Sequence, residues 1–444
     1  MSDIAASAPP VSPLSKEYRR YAMVFLLIVG TLNVVDRQVI NILSEPIKNE
    51  LDLLDWHIGL LTGLTFAIFY TILGLPIAQL AERTNRSHVI SASLVTWSAF
   101  TIACGYAQNF IQLCLARMGV AVGEAGCSPC AHSLISDYYP REQRASGMAF
   151  YGLASPFGAF AGMMVGGMVA DQYGWRIAFI VCGLPGFFLA ALCSLTLIEP
   201  RKKFPEIAAA AAVPKVSIIN AVRAIGGKRT FWLVTFGGAL KAFISYGMAP
   251  FIAPYFFRNH AAEISALAAD FGLQAGGFLG LSLGIVLGIG GAIGTFLGGW
   301  IADRYAERDI RAWAKLPAIA ALFTPFTFTA ALLAPSVIPA MALLFLNGVF
   351  ASLWQGPVFA TAQSVAPART RALASALLLF VVSLVGLGLG PLSVGILSDV
   401  LAIQYDFGSG DGVRWSLIAF SFLSFGSFFL FWAARKTIAG DIVE

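Results

Sequence analysis

Residues 316–368 form a run of 53 positions without one Asp, Glu, Lys or Arg. No water-facing surface can be built from such a stretch. It is also more than twice the roughly 20 apolar residues that cross a bilayer as a helix. Pro335-Ser-Val-Ile-Pro339 supplies a turn inside it, so the run reads as two membrane spans. The rest of the chain follows the same plan. Only 12% of the 444 residues are charged, against 58% hydrophobic, where a soluble domain carries about 25% charge. With 35 Phe, 12 Tyr and 9 Trp it is not a solvated, disordered chain either. A membrane β-barrel would show roughly ten-residue stretches of alternating polarity, and the sequence has none. The composition therefore predicts an all-α membrane protein.

Apolar runs between short charged clusters place spans at 21–43, 57–81, 88–107, 109–136, 146–170, 175–198, 231–257, 275–301, 313–334, 337–364, 372–400 and 414–434, twelve in all. Gly105-Tyr-Ala-Gln-Asn109 turns the chain between spans three and four. Residues 1–20 are polar and no small-residue cleavage site follows the first apolar run, so that run reads as a retained span. With a cytoplasmic N-terminus, the inner segments hold 22 of the 29 Lys and Arg, and the outer loops hold four: Lys48, Arg176, Arg258 and Arg414. That asymmetry orients the chain with both termini inside. The basic loop 199–230 either docks on anionic lipid or simply obeys the same bias as a linker. The expected organisation is an N-terminal tail (1–20), a six-helix bundle (21–198), the linker, a second six-helix bundle (231–434) and a C-terminal tail (435–444).

The two halves repeat. Ala78-Gln-Leu-Ala-Glu82-Arg83-Thr-Asn-Arg86 returns as Gly299-Trp-Ile-Ala-Asp303-Arg304-Tyr-Ala-Glu-Arg308 at an offset of 221. Pro140-Arg-Glu-Gln-Arg144 returns as Pro367-Ala-Arg-Thr-Arg371 at 227, and Pro129 as Pro357 at 228. Span six opens after Asp171-Gln-Tyr-Gly-Trp175-Arg176, and span twelve opens at Arg414-Trp415 after Asp399. Duplicated six-span halves are a recurrent transporter plan, with the substrate site between the repeats.

The two cytoplasmic loops resemble the G-x-L-A-D-R-x-G-R-R signature of the major facilitator superfamily. The second copy keeps Gly299, Asp303 and Arg304, while the first carries Ala78, Glu82 and Asn85 at departing positions. Arg117-Met-Gly119 through Gly123-Glu124-Ala125 is similar to the fourth-span R-x-x-x-G-x-G-E-A motif. Asp36-Arg37-Gln-Val, Glu45-Pro-Ile-Lys48, Gly59-Leu-Leu-Thr-Gly63 and Gly123-Glu-Ala-Gly-Cys-Ser-Pro129 together resemble a bacterial member of the spinster family. The resemblance implies twelve helices in two pseudo-symmetric six-helix bundles, alternating access, and a lysolipid or sphingolipid as one possible cargo. It also implies that Glu82, Arg83, Arg86 and Arg144, with Asp303, Arg304 and Arg371, bridge the halves when the inside is closed. The plain alternative for these charges is the positive-inside bias.

Asp36, Arg37, Arg117, Glu124 and Lys241 fall well inside predicted spans. An ionisable group at a helix centre costs roughly 2.5–3.5 kcal/mol on the insertion scale, so such groups should face the interior and mark a pathway. At 1.5 Å per residue, Asp36 and Arg117 lie at depths differing by only a few Å, which allows an ion pair. Glu124 follows Arg117 on the same face about 10 Å deeper, too far for direct contact except through long side chains or water. The expectation is proton coupling through Asp36 or Glu124, with Arg117 as the switching partner. A fixed pair holding spans one and four together is the alternative. The repeat places Phe345 and Ser352 at the equivalents of Arg117 and Glu124, an asymmetry that favours function. Arg37 points about 100° from Asp36, either to an anionic headgroup or to an outer closure. Lys241 either snorkels or, with Arg37, Asn33 and Tyr246, lines a substrate cavity. Five ionised groups would give that cavity a net charge of +1, suited to an anion or zwitterion.

Glycines recur in span five (Gly152, Gly158, Gly162, Gly166, Gly167), span eight (Gly284, Gly288, Gly290, Gly294, Gly298) and span eleven (Gly386, Gly388, Gly390, Gly395). Small residues at such spacings let helices approach closely, and a hinge at Pro156 or Pro391 is the alternative to plain packing. No nucleotide fingerprint occurs, and the four His show no ligand spacing. No cofactor, metal, catalytic cluster or nucleic-acid partner is expected, and the small net charge of +5 by itself says nothing about nucleic acid. Cys127 and Cys130 match C-x-x-C but sit in an apolar helix, where buried, inert thiols are expected. The sequence thus reads as a secondary transporter, expected to be a monomer in a bacterial inner membrane, driven by protons and carrying an amphiphilic or anionic small molecule or lipid. A proton/drug antiporter or organic-anion symporter is the near alternative. A polytopic enzyme or receptor is the distant one.

Overall fold

A computed structural model describes residues 14–140, 143–205, 207, 225–367 and 370–442. Most of the 199–230 linker, with its expected lipid contact, lies outside the described residues, as does the side chain of Glu82. The described residues form helices and turns without strands. Among the described residues, ten helices are long and apolar enough to cross a membrane. One of them, Ser146–Lys203, is two spans. At Gly174 the backbone reaches φ +82°, which favours glycine, and the chain reverses there into span six. The helix Arg229–Asn259 completes the twelve. Span one extends beyond its apolar run, from Lys16 to Glu50, because Ser15 caps it by accepting from the Tyr18 amide at 3.1 Å. Span four breaks after Glu124 and restarts at Cys127, and span ten breaks after Ser352 and restarts at Gln355. The repeated Pro129 and Pro357 lie just after these breaks and lack the N–H that a continuous helix would need.

Glycine sets which helices touch. A Cβ on Gly158 would sit 2.7 Å from the Thr31 carbonyl oxygen, and one on Gly162 would sit 2.9 Å from that of Val35, so span five lies directly on span one. Span eight has two partners. On its outer half, Cβ atoms at Gly280, Gly284 and Gly288 would meet the carbonyl oxygens of Met163, Phe160 and Pro156 on span five, at 2.2, 3.0 and 2.8 Å. On its inner half, Cβ atoms at Gly294 and Gly298 would meet those of Val349 and Leu353 on span ten, both at 2.2 Å. Between the halves, Ile285–Gly290 winds as a π-helix. A second π-helical segment, Leu384–Leu389, interrupts span eleven.

With inner and outer ends assigned from the Lys/Arg bias, the halves meet at the outer end. Arg258 of span seven donates from Nε and Nη2 to the Glu45 carboxylate at 2.6–3.0 Å, and from Nη1 and Nη2 to Asp55 at 2.9 and 2.8 Å. Lys48 Nζ adds a 2.6 Å contact to Asp55, and Ser398 Oγ donates to the same carboxylate at 2.6 Å. Ser44 Oγ donates to the Pro250 carbonyl at 2.9 Å. Among the described residues, no side-chain hydrogen bond joins the halves at the inner end.

Candidate functional site

Spans one, two, three and four assemble the site. Gly119 and Gly123 bring span four against span three: a Cβ on Gly123 would sit 2.5 Å from the Trp97 backbone nitrogen, and one on Gly119 would overlap the Phe100 ring. That approach leaves Arg117 and Glu124 facing span one rather than lipid, and both are buried.

The pairing differs from the expected one. Arg37 Nε donates to Glu124 Oε2 at 2.7 Å. Arg117 forms no salt bridge with Asp36; its Nη1 donates to the Asp36 backbone carbonyl at 3.3 Å. The Asp36 carboxylate turns to span three, where it accepts from Thr101 Oγ1 at 3.2 Å. Aromatic rings complete the arrangement. The Arg37 guanidinium lies over Phe66 and Tyr70, 4.9 and 4.5 Å from the ring centroids, and Arg117 lies 5.4 Å from Phe66. Phe66 is thus within cation–π range of both arginines.

Four buried polar atoms here have no hydrogen-bond partner among the described residues: Asn33 Nδ2, Asp36 Oδ1, Arg117 Nε and Glu124 Oε1. Buried polar atoms are nearly always satisfied. The four atoms concentrate unfilled hydrogen-bonding capacity in one cluster, within which Asn33 and Glu124 lie in interaction range of each other. Exposure is uneven. The Glu124 side chain is fully buried while that of Arg37 is 27% exposed, so Arg37 is the cation that can meet a visitor. Tyr246 of span seven, 45% exposed, stands within electrostatic range of Arg37 and Tyr70 from the other half.

Lys241 does not join this group. It is buried inside the last six spans, with Nζ at 3.1 Å from Thr324 Oγ1 and 3.4 Å from Ser424 Oγ. Those hydroxyls donate onward to the Ala320 and Ala321 carbonyls. A lysine at the right depth has been turned away from the cavity, because depth along a helix says nothing about direction around it. Without Lys241, the cluster of Asp36, Arg37, Arg117 and Glu124 sums to zero rather than +1.

The inner-end charges also depart from the expected bridge. Arg86 is wholly buried within the first six spans, bonded to Asp137 at 2.6 Å and to both oxygens of Glu199. It ties the inner ends of spans three, four and six together. Arg144 Nε donates to the Tyr139 carbonyl at 3.1 Å. Arg83, Asp303, Arg304 and Arg371 are exposed, and Asp303 accepts from Trp313 Nε1 at 3.1 Å. The outer network of Glu45, Lys48, Asp55 and Arg258 was missed as a site by sequence reasoning. Its signal was present: two of the four Lys and Arg in the outer loops belong to it.

The Major Facilitator Superfamily profile matches residues 26–391. This chain is a member of that superfamily. As a major facilitator protein it is a multi-pass membrane transporter, and its relatives point the same way, away from enzymes. It is 32% identical over 431 residues to an MFS-type efflux pump of Mycolicibacterium smegmatis, covering 94% of this chain and 93% of the pump. It is 28% identical over 242 residues to protein spinster homolog 1 of Xenopus tropicalis, covering 53% of this chain and 45% of that protein. Its fold superposes with a TM-score of 0.85 on the crystal structure of a bacterial homologue to the human lysosomal transporter spinster, in an inward-facing and unoccupied conformation, at 30% identity. That match covers 97% of this chain and 100% of the other.

Proposed function

We propose that the chain is a proton-coupled transporter of an amphiphilic or anionic small molecule, and that Arg37 is where proton and cargo meet. The carrying observation is the Arg37–Glu124 pair, in which the glutamate side chain is sealed and the arginine side chain is partly exposed. An anionic headgroup that engages the remaining N–H edge of Arg37 competes with Glu124 for the same cation. Glu124, losing that stabilisation, then gains affinity for a proton. Protonation of Glu124 in turn frees Arg37 for the cargo. The two events are linked, and the linkage is reciprocal by thermodynamics. Asp36, with one carboxylate oxygen unpartnered, is the second candidate proton carrier, and Arg117 holds its backbone in place. Asn33 and Tyr246 flank the cargo position.

On this reading the chain works as a monomer of two six-span bundles, residues 21–198 and 231–434, with both termini on the cytoplasmic face of a bacterial inner membrane. Lysolipid or sphingolipid cargo draws its support from the spinster resemblance. A proton/drug antiporter is the second reading, favoured by the efflux pump that is similar over nearly the whole chain. The inner-end charges Glu82, Arg83, Arg144, Asp303, Arg304 and Arg371 are proposed to pair across the halves once the inside closes. The test is flux in proteoliposomes with and without an imposed pH gradient, using lysolipids, sphingoid bases and anionic drugs as cargo. Gradient-dependent flux supports coupling. Flux of every cargo indifferent to the gradient removes it.

A further inference from the structure

Outside the Arg258 network, two aspartates do the same thing in opposite directions. Asp171, at the outer end of span five, accepts from the Gly276 and Gly277 amides at the start of span eight, at 3.0 and 2.6 Å. Asp399, at the outer end of span eleven, accepts from the Asp55 and Trp56 amides at the start of span two, at 3.0 and 2.7 Å. Each carboxylate uses one oxygen per amide. The first aspartate reaches from the first half to the second, and the other reaches back. The two aspartates are 228 residues apart, and each amide in one pair is 221 residues from its counterpart in the other. These are offsets of the internal repeat, so the two contacts are related by its pseudo-symmetry.

The receiving helices need them. Neither Leu54 nor Gln274, the residues at their N-cap positions, supplies a side-chain cap to the first turn. Free amides at a helix start carry partial positive charge, and a carboxylate there is stabilising. Each half therefore leaves two helix-start amides to be filled by the other half. Among the described residues, neither aspartate forms a salt bridge, so the amides are the hydrogen-bond donors that hold them.

We propose that Asp171 and Asp399 are positioning residues forming a matched pair of latches that hold the outer end shut. Each latch engages only when the halves close outside. The symmetry means both release together when the halves rotate apart. A cluster of side-chain ion pairs can exchange partners, whereas a carboxylate seated on two backbone amides has one geometry. The latches thus report closure more stringently than the Arg258 network beside them. This proposal is independent of the cargo and of proton coupling.

The test reads outer opening directly. Ser44 is fully buried beneath the outer closure and bonded across it to Pro250. A Ser44→Cys reporter on intact cells is exposed to a membrane-impermeant maleimide only when the outer end opens. The six native cysteines are buried, and the chain without the reporter gives the background. Asp171→Asn and Asp399→Asn each turn an amide N–H2 or an uncharged oxygen towards the helix start. Each is expected to raise the labelling rate by about tenfold, and the pair together by more. Asp171→Ser and Asp399→Ser keep an acceptor, drop the charge and stand in for an Asn variant that fails to reach the membrane. Asp441→Asn is the control, because Asp441 caps Thr230 at 2.8 Å within one half. Unchanged labelling in the folded latch variants, or an equal rise with Asp441→Asn, overturns the proposal.

Discussion

Arg37 and Glu124 sit on different spans, 87 residues apart, and meet at 2.7 Å with only the arginine side chain partly exposed. The guanidinium lies over Phe66 and Tyr70, so its planar faces are partly covered and its remaining N–H edge is directed. An ion pair with one sealed and one open partner is lopsided: what enters the cavity can act on the arginine but not on the carboxylate. A proton reaching Glu124 must break or bypass that contact, which ties its movement to whatever Arg37 is holding.

Glu124→Gln is expected to keep the fold and abolish coupling. Gln still accepts from Arg37 through its carbonyl oxygen but cannot cycle a proton. Gradient-driven uptake in proteoliposomes should fall at least about tenfold, while cargo exchange without a gradient persists. Asp36→Asn separates the two carboxylates. If both variants retain the full pH dependence of the parent, neither residue carries the proton.

Arg37→Lys and Arg37→Ala should part company. Lysine keeps a cation near Glu124 but loses the planar stack on Phe66 and Tyr70, so anionic cargo should bind about tenfold more weakly with modest loss of stability. Alanine leaves Glu124 buried without its partner, a change costing about 3–5 kcal/mol where the charge is retained. Thermal unfolding in detergent, with cargo titrations on the same samples, distinguishes them. A lysine variant that matches the parent in cargo affinity would count against Arg37 as the headgroup contact.

Arg86→Ala should behave as a stability variant rather than a gating variant. It strands Glu199 at the buried inner end of spans three, four and six, at a cost of about 3–5 kcal/mol, while Asp137 keeps Arg201 at 2.7 Å. Arg304→Ala, at an exposed position, should leave the unfolding temperature nearly unchanged and slow turnover instead. Thermal shift and flux measured side by side would show the crossing pattern, and its absence would return Arg86 to the gate.

Gly280→Ala and Gly294→Ala place the same methyl on the same helix against different neighbours. At Gly280 it meets the Met163 carbonyl of span five, across the halves, and at Gly294 it meets Val349 of span ten, within one half. Overpacking of this kind costs about 1–3 kcal/mol. Gly280→Ala should open the outer end, read as faster Ser44→Cys labelling, with little change in unfolding. Gly294→Ala should lower the unfolding temperature without faster labelling.

Much of this fold was legible because hydrophobic length and charge spacing are one-dimensional quantities. The run 316–368, the Gly105–Asn109 turn and the repeat at 221–228 needed no knowledge of direction around a helix. The site needed that knowledge. Depth along the axis matched Asp36 to Arg117, but the adjacent Arg37 is turned about a quarter of a circle away and reaches Glu124 instead. Of the two alternatives for Lys241, snorkelling or a cavity lining, the structure shows neither, for the same reason. The latches at Asp171 and Asp399 were hidden differently: their partners are backbone amides, which every residue but proline possesses and no sequence pattern reveals.

Span eight belongs to two bodies at once. Its outer half rests on span five of the opposite half, and its inner half on span ten of its own. If the halves rotate, the helix must take up the difference along its own backbone, and its hydrogen-bond ladder is already loosened at Ile285–Gly290. The glycine face bears on how readily it can let go. A surface without side chains has no rotamers to rearrange and little apolar area to re-cover when it parts, so inward of the Asp171 contact only close-range dispersion resists separation. Such a joint holds shape firmly yet releases without leaving a cavity in either body, which is the property a bearing surface requires.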